Sequence, residues 1–135
     1  MQLNAWIKKK DFHTSREILM YHISFYVPLL DAEKVKSAMF EAGAGEHENY
    51  SHCSWQTEGK GQFMPIHGAI PTIGEIDQIE TINETKVEMI CHKDKIKDVV
   101  TSMKNTHPYE SVAYSVVIME AVSYTHLTLP TNREV

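Results

Sequence analysis

Three features of this sequence predict an α+β fold, a four-stranded antiparallel sheet carrying two helices on one face. A strand-then-helix pattern occurs twice, and each copy is followed by a further strand candidate. Between the copies lies a long stretch rich in glycine and proline that reads as a protruding β-arm. The order βαββαβ is the split βαβ, or ferredoxin-like, layout, in which one sheet face buries the apolar stripes of both helices.

The first strand is Tyr21-His22-Ile23-Ser24-Phe25-Tyr26-Val27, where Tyr21, Ile23, Phe25 and Val27 alternate onto one face. Pro28 ends it, and Asp31 is the expected N-cap of a helix running to Ala42. Val35, Ala38, Met39 and Ala42 form that helix's apolar stripe, and Gly43-Ala44-Gly45 stops it. A strand candidate follows near Tyr50. In the second copy Val87, Met89 and Cys91 alternate along a strand from about Thr85. The helix after it, Lys93 to about Asn105, stripes Ile96, Val99, Val100 and Met103 and ends before His107-Pro108, because a residue preceding proline leaves helical dihedrals. The helices align without gaps: Val35 with Ile96, Ala38 with Val99, Met39 with Val100 and Ala42 with Met103. The last strand covers Ala113 to Met119. His22, Ser24, Tyr26, Lys86, Glu88, Tyr114 and Val116 are expected on the open sheet face, a mixed surface suited to partial cover by a neighbouring subunit. The arm spans about 58–84 and contains the extended pieces Gln62-Phe63-Met64 and Ile79-Glu80-Thr81-Ile82. An irregular segment of that length in a small domain is functional or builds its own local structure.

Residues 20–121 are expected to be the folded unit, enough for one core and not two. Within them eight Lys and no Arg face fifteen Asp or Glu, and the whole chain of 135 residues carries a net charge of −5. Phosphate backbones are bound through Lys and Arg clusters, so nucleic acid is not an expected partner. Residues 1–19 hold Lys8-Lys9-Lys10 but no apolar run of signal-peptide or membrane-spanning length, and read as leader or mis-called upstream sequence before Met20. Residues 122–135 begin V-S-Y-T-H-L-T-L-P-T and look like a translated transposase sequencing adapter. The two cysteines, Cys53 and Cys91, with no export signal, point to reduced thiols in the cytoplasm.

The motifs are Gly43-Ala44-Gly45, then Tyr50-Ser51-His52-Cys53-Ser54-Trp55-x-Thr57-Glu58-Gly59-x-Gly61-x-Phe63, Pro71-x-Ile73-Gly74, Val87-Glu88-Met89-Ile90, His107-Pro108-Tyr109-Glu110 and Ala113-Tyr114. In this order and spacing they resemble the YqfO-like family, also called the NGG-interacting-factor-three family of dinuclear-metal-centre proteins. The likeness covers nearly all of 20–121 but only the family's inserted domain, which is similar to PII and CutA proteins and tends to form trimers. The larger family domain that supplies the metal ligands has no counterpart here. The chain departs from the family pattern at Ser111 and Ser115, where acidic residues are usual, and at His47 and Glu48.

Candidate ligand-binding residues are His107, Tyr109, Glu110, Tyr50 and Trp55. Glu110 is a partner able to fix the tautomer of His107 and leave its second ring nitrogen for a ligand. The structural alternative is a turn whose polar atoms satisfy backbone groups at the helix end. Trp55 and Phe63 suit stacking on a nucleotide or packing within the arm. His47, His52, Cys53 and His67 are weak metal candidates, because imidazole and thiolate suit zinc or copper. His52 and Cys53 are adjacent, however, and point apart in a strand. Cys53 has no base placed by spacing to activate it, and G-K-G-Q-F lacks a phosphate-binding spacing. The expected function is a non-catalytic, oligomeric binding or assembly module with no catalytic residue and no assigned cofactor. Its self-association is expected to be a homotrimer. The resemblance also allows a component of a dinuclear-metal hydrolase, paired with a separately encoded metal domain, and a CutA-like role in divalent-metal tolerance.

Overall fold

The structure, a computed structural model, describes residues 19–120. The leader and adapter-derived tail expected at 1–19 and 122–135 lie, Leu19 apart, outside the described residues. Strand β1 is Met20–Val27, helix α1 Leu29–Glu41, β2 Trp55–Phe63, β3 Glu80–His92, α2 Ile96–Thr106 after a single 3-10 turn, and β4 Tyr114–Ile118. The sheet order is β2-β3-β1-β4, all neighbours antiparallel, which is the expected ferredoxin-like topology.

Alternation along β1 and β3 drives the packing. Ile23, Phe25 and Val27 on β1 and Val87, Met89 and Cys91 on β3 all face the helices and are essentially buried. Val35 and Met39 from α1 and Val99 and Met103 from α2 close the core over them. Burial matches Val35 with Val99 and Met39 with Met103, a three-residue shift from the alignment read in the sequence. The stripe on α1 includes Ala32, one turn earlier than expected, because the helix starts at Leu29. Pro28 occupies the N-cap position and no side chain caps the helix, so Asp31 is not its cap. Asp31 sits in the first turn instead, where its charge favours the helix dipole.

The arm read at about 58–84 is the outer part of a β2–β3 hairpin, in which Phe63 pairs with Glu80 and Trp55 with Glu88. One further expectation changes. Tyr114 and Val116, expected on the open face, lie on the helix face. They stand opposite Phe25 and Ile23 in the β1–β4 ladder, and directly opposed residues share a face. The ammonium of Lys104 on α2 sits 5.1 Å from the Tyr114 ring centre accordingly. The open face of β4 carries Ser115, whose hydroxyl meets that of Ser24 at 3.0 Å, and Val117. No described helix is long and apolar enough to cross a membrane.

The segment joining α1 to β2 is held by its own motif. Gly45 donates to the Ile90 carbonyl and accepts from the Cys53 amide, both at 2.8 Å. A side chain at Gly45, where φ is +80°, would strike Phe40 and the Cys53 carbonyl. The strand expected near Tyr50 begins at Trp55; Tyr50 makes an isolated bridge with His47, and Ser51 to Ser54 are irregular, with His52 in the left-handed region at φ 58°.

Candidate functional site

The open face of the sheet, beyond the helices, carries a cleft of about 610 Å³. Its floor is the paired β2–β3 hairpin, where Gly59 faces Glu84 and Thr57 faces Lys86 across the ladder. One wall is the loop 64–79 at the hairpin tip, which bends back over the sheet with Pro71 and Ile73 toward the cleft. The other wall is the turn between α2 and β4, with Tyr109 and Glu110. The two walls are tied together. The Ile70 amide donates to Glu110 Oε1 at 2.9 Å, and the Thr72 hydroxyl donates to the Pro108 carbonyl at 3.3 Å.

His107 organises the turn. It is 7% exposed, and both ring nitrogens are engaged. Nε2 lies 2.7 Å from the Tyr26 carbonyl, which only accepts, so Nε2 carries the proton. Nδ1 then accepts from the Tyr109 amide at 3.1 Å. Burial lowers the His107 pKa, against an opposing pull from the Tyr26 hydrogen bond. This imidazole is neutral and spent on backbone groups, with no nitrogen left for a ligand, and Glu110 is turned to Ile70 and not to the ring. The geometry thus follows the structural alternative for His107.

Tyr109 and Glu110 do face the cleft. The Tyr109 hydroxyl donates to Glu84 Oε2 at 3.2 Å. Burial first, and then the Glu84 carboxylate, raise its pKa far above the ordinary phenol value, so it stays a neutral donor. Gly61 makes this contact possible. A Cβ there would collide with the Glu84 carboxylate, which lies across β2 in the space glycine leaves.

Tyr50 and Trp55 are not brought to the cleft. Tyr50 pairs with His47 in the turn before β2 and is 73% exposed. Trp55 is 68% exposed on the open face, its indole donating to the Thr57 hydroxyl at 3.1 Å. The metal candidates stay apart as well. His52 packs on the Phe40 ring at 4.8 Å and bonds the Ser51 hydroxyl, His47 lies 3.9 Å from Glu48, and His67 is in the tip loop. Cys53 and Cys91 are free thiols, and among the described residues the Cys53 sulfur reaches only the Ser51 carbonyl, at 3.8 Å. Among the described residues no group of three or more His, Cys, Asp or Glu is placed to hold a metal ion. Sequence reasoning missed Glu84, Lys86, Gly59 and Gly61 as cleft residues. The available signal was the glycine pair two apart inside an extended run, which puts both on one strand face.

No protein-family model matches the sequence. The chain is 41% identical over 98 residues to the GTP cyclohydrolase 1 type 2 homolog of Bacillus subtilis, covering 73% of this chain and 26% of that protein. It is 45% identical over 91 residues to the homolog of that name from Mycobacterium leprae, covering 67% of this chain and 24% of the relative. The chain therefore spans about a quarter of the length of the curated relatives it matches. Among solved structures, a Bacillus cereus protein related to NIF3 superposes with a TM-score of 0.66 at 36% identity, over 76% of this chain and 26% of that one. The periplasmic divalent cation tolerance protein CutA from Archaeoglobus fulgidus superposes with a TM-score of 0.58 at 19% identity, over 80% and 91% of the two chains, a likeness of fold alone. Sequence and fold together place this chain in the YqfO-like, NGG-interacting-factor-three family, as a CutA-like domain matching about a quarter of the length of its curated members.

Proposed function

We propose that residues 20–121 act as a non-catalytic binding and assembly module, taking a small ligand in the cleft and self-associating as a homotrimer. The cleft carries this reading. A space of about 610 Å³ walled by two tied loops, with charged and phenolic groups at its base, lies in the ordinary size range of small-ligand sites. Assembly is supported by the two edges of the sheet. β2 and β4 each have a flank with no partner strand among the described residues, and Val117 and Ile118 on β4 are more than half exposed. Such edges are stabilised when another chain pairs with them. The trimer is the form that likeness to PII and CutA proteins implies. Two free thiols support a cytoplasmic setting.

Light scattering on the purified chain tests the assembly, and a monomer at micromolar concentration would remove that part. A thermal-shift screen of nucleotides, amino acids, 2-oxo acids and divalent metals tests the ligand part. It fails if no compound raises the melting temperature.

A second reading is favoured by the names and lengths of the curated relatives, in which this chain corresponds to a minor part. There the module would serve a dinuclear-metal hydrolase whose metal ligands are carried by another domain. Co-purification with such a domain supports it, and two non-interacting species on a sizing column count against it. A divalent-metal tolerance role of the CutA kind predicts saturable copper or zinc binding in a titration of the untagged chain.

A further inference from the structure

Taking the cleft as a binding site, as proposed above, we infer that its ligand is a small zwitterion with a bulky apolar or aromatic body, of the α-amino acid class. Three features of the site carry this. The first is the floor. Gly59 lies inside β2, where glycine weakens a strand, yet a Cβ built there meets nothing within 4 Å. No neighbour demands that glycine, so the volume it leaves belongs to the cleft.

The second is the pair of charges at the base. Glu84 and Lys86 are two residues apart on β3 and project to the same face, with Cα atoms roughly 7 Å apart. One oxygen of Glu84 is taken by Tyr109, and Oε1 has no hydrogen-bond partner among the described residues. Lys86 lines the cleft and makes no ion pair with any described residue. A lone anion at Lys86 would be repelled by Glu84 and by the nearby Glu110. A lone cation at Glu84 would be repelled by Lys86. A molecule bearing an ammonium and a carboxylate close together satisfies both at once, through two charge-assisted hydrogen bonds. The third is the wall. Phe63, Pro71 and Ile73 offer apolar surface to the rest of the ligand.

The test is isothermal titration of the full chain with L-phenylalanine, with phenylpropionate, which lacks the ammonium, and with phenethylamine, which lacks the carboxylate. L-phenylalanine is expected to bind at least about tenfold more tightly than either analogue, the size of one lost charged hydrogen bond. Lys86→Met should weaken L-phenylalanine by about tenfold and remove its advantage over phenethylamine. Gly59→Val should abolish binding while leaving the melting temperature unchanged or higher, because the added side chain fills the cleft without a clash. If an analogue binds as well as L-phenylalanine and Gly59→Val still abolishes it, the zwitterion inference is overturned and the cleft remains a site. If no probe binds, the inference is overturned. If binding survives Gly59→Val unchanged, the cleft reading falls with it.

Discussion

His107→Ala should unfold this domain far more readily than a change at a ligand-contacting turn residue would. The imidazole is 7% exposed, its Nε2–H donates to the Tyr26 carbonyl at 2.7 Å, and Nδ1 accepts from the Tyr109 amide at 3.1 Å. Its ring also meets Phe25 edge-on at 6.3 Å and Tyr109 at 4.9 Å. Truncation leaves one carbonyl and one amide without partners and opens a void beside Phe25. Unpaired buried groups cost about 1–3 kcal/mol each, reduced here by partial access of water, so the total is about 2–4 kcal/mol. For a domain of this size that is a fall of roughly 10–25 °C in melting temperature. The pH dependence has a definite sign. The folded pKa lies below the ordinary 6.5, so the folded chain takes up a proton less readily than the unfolded one. Stability from His107 is therefore complete above about pH 6.5 and is lost as pH falls through the folded value. A proton on Nδ1 would also point at the Tyr109 amide hydrogen. Urea unfolding of parent and variant, on either side of the ordinary imidazole pKa, measures both effects. The gap between them should be wide at the higher pH and narrower at the lower one. His107→Gln, which keeps a donor near the Tyr26 carbonyl, should fall in between. A variant within about 0.5 kcal/mol of the parent, or a gap that ignores pH, would refute this account.

Three other outcomes are expected. Thr85 is fully buried, and its hydroxyl has no hydrogen-bond partner among the described residues; Thr85→Val should stabilise by about 1 kcal/mol, read as a rise of roughly 4–8 °C, and a fall would mean the hydroxyl is satisfied after all. Burial pushes the Cys91 thiol up to about 11, whereas Cys53 is only partly buried, so a thiol reagent should label Cys53 in the native chain and Cys91 only on unfolding. Mass spectrometry of the labelled peptides distinguishes the two orders. Glu110→Ala removes the acceptor for the Ile70 amide and should speed hydrogen exchange in the loop 64–79 several-fold, with a change in global stability below about 1 kcal/mol, whereas equal exchange would show that the loop is held by other contacts.

The sequence made the central sheet and both helices legible because their signals are periodic and local. Tyr21 to Val27 and Val87 to Cys91 alternate, and each helix shows its stripe. It located β4 but put Tyr114 and Val116 on the wrong face, because Tyr114 to Ile118 are all apolar or small and all exposed, so no alternation marks which face is inward. Only the register against β1 decides that, and a slip of one residue reverses it. Gly59 and Gly61 read as turn residues because glycine commonly breaks strands, yet both lie within β2. The partners of Glu110 and Pro108 stand 40 and 36 residues away, and a hydrogen bond over that separation leaves no mark in local pattern. The H-P-Y-E turn was visible as a feature. That His107 is consumed by backbone groups required the fold that brings Tyr26 to it.

The cleft itself follows from a mismatch of lengths. A 13-residue helix such as α1 is about 20 Å long, whereas the 13-residue strand β3 runs about 43 Å. The helices can cover only the half of β3 that pairs with β1, from Thr85 to His92. The remainder, Glu80 to Glu84, pairs with β2 alone among the described strands. A bare two-stranded ribbon is marginal in water, so the projecting hairpin needs another surface. Its tip loop provides one by folding back and tying to the α2–β4 turn through Glu110 and Pro108. Folding back over a floor that has no side chain at Gly59, where nothing lies within 4 Å of a Cβ, leaves a gap instead of a packed layer. The feature that makes the arm independent of the core is therefore the one that leaves room for a ligand beside Glu84 and Lys86.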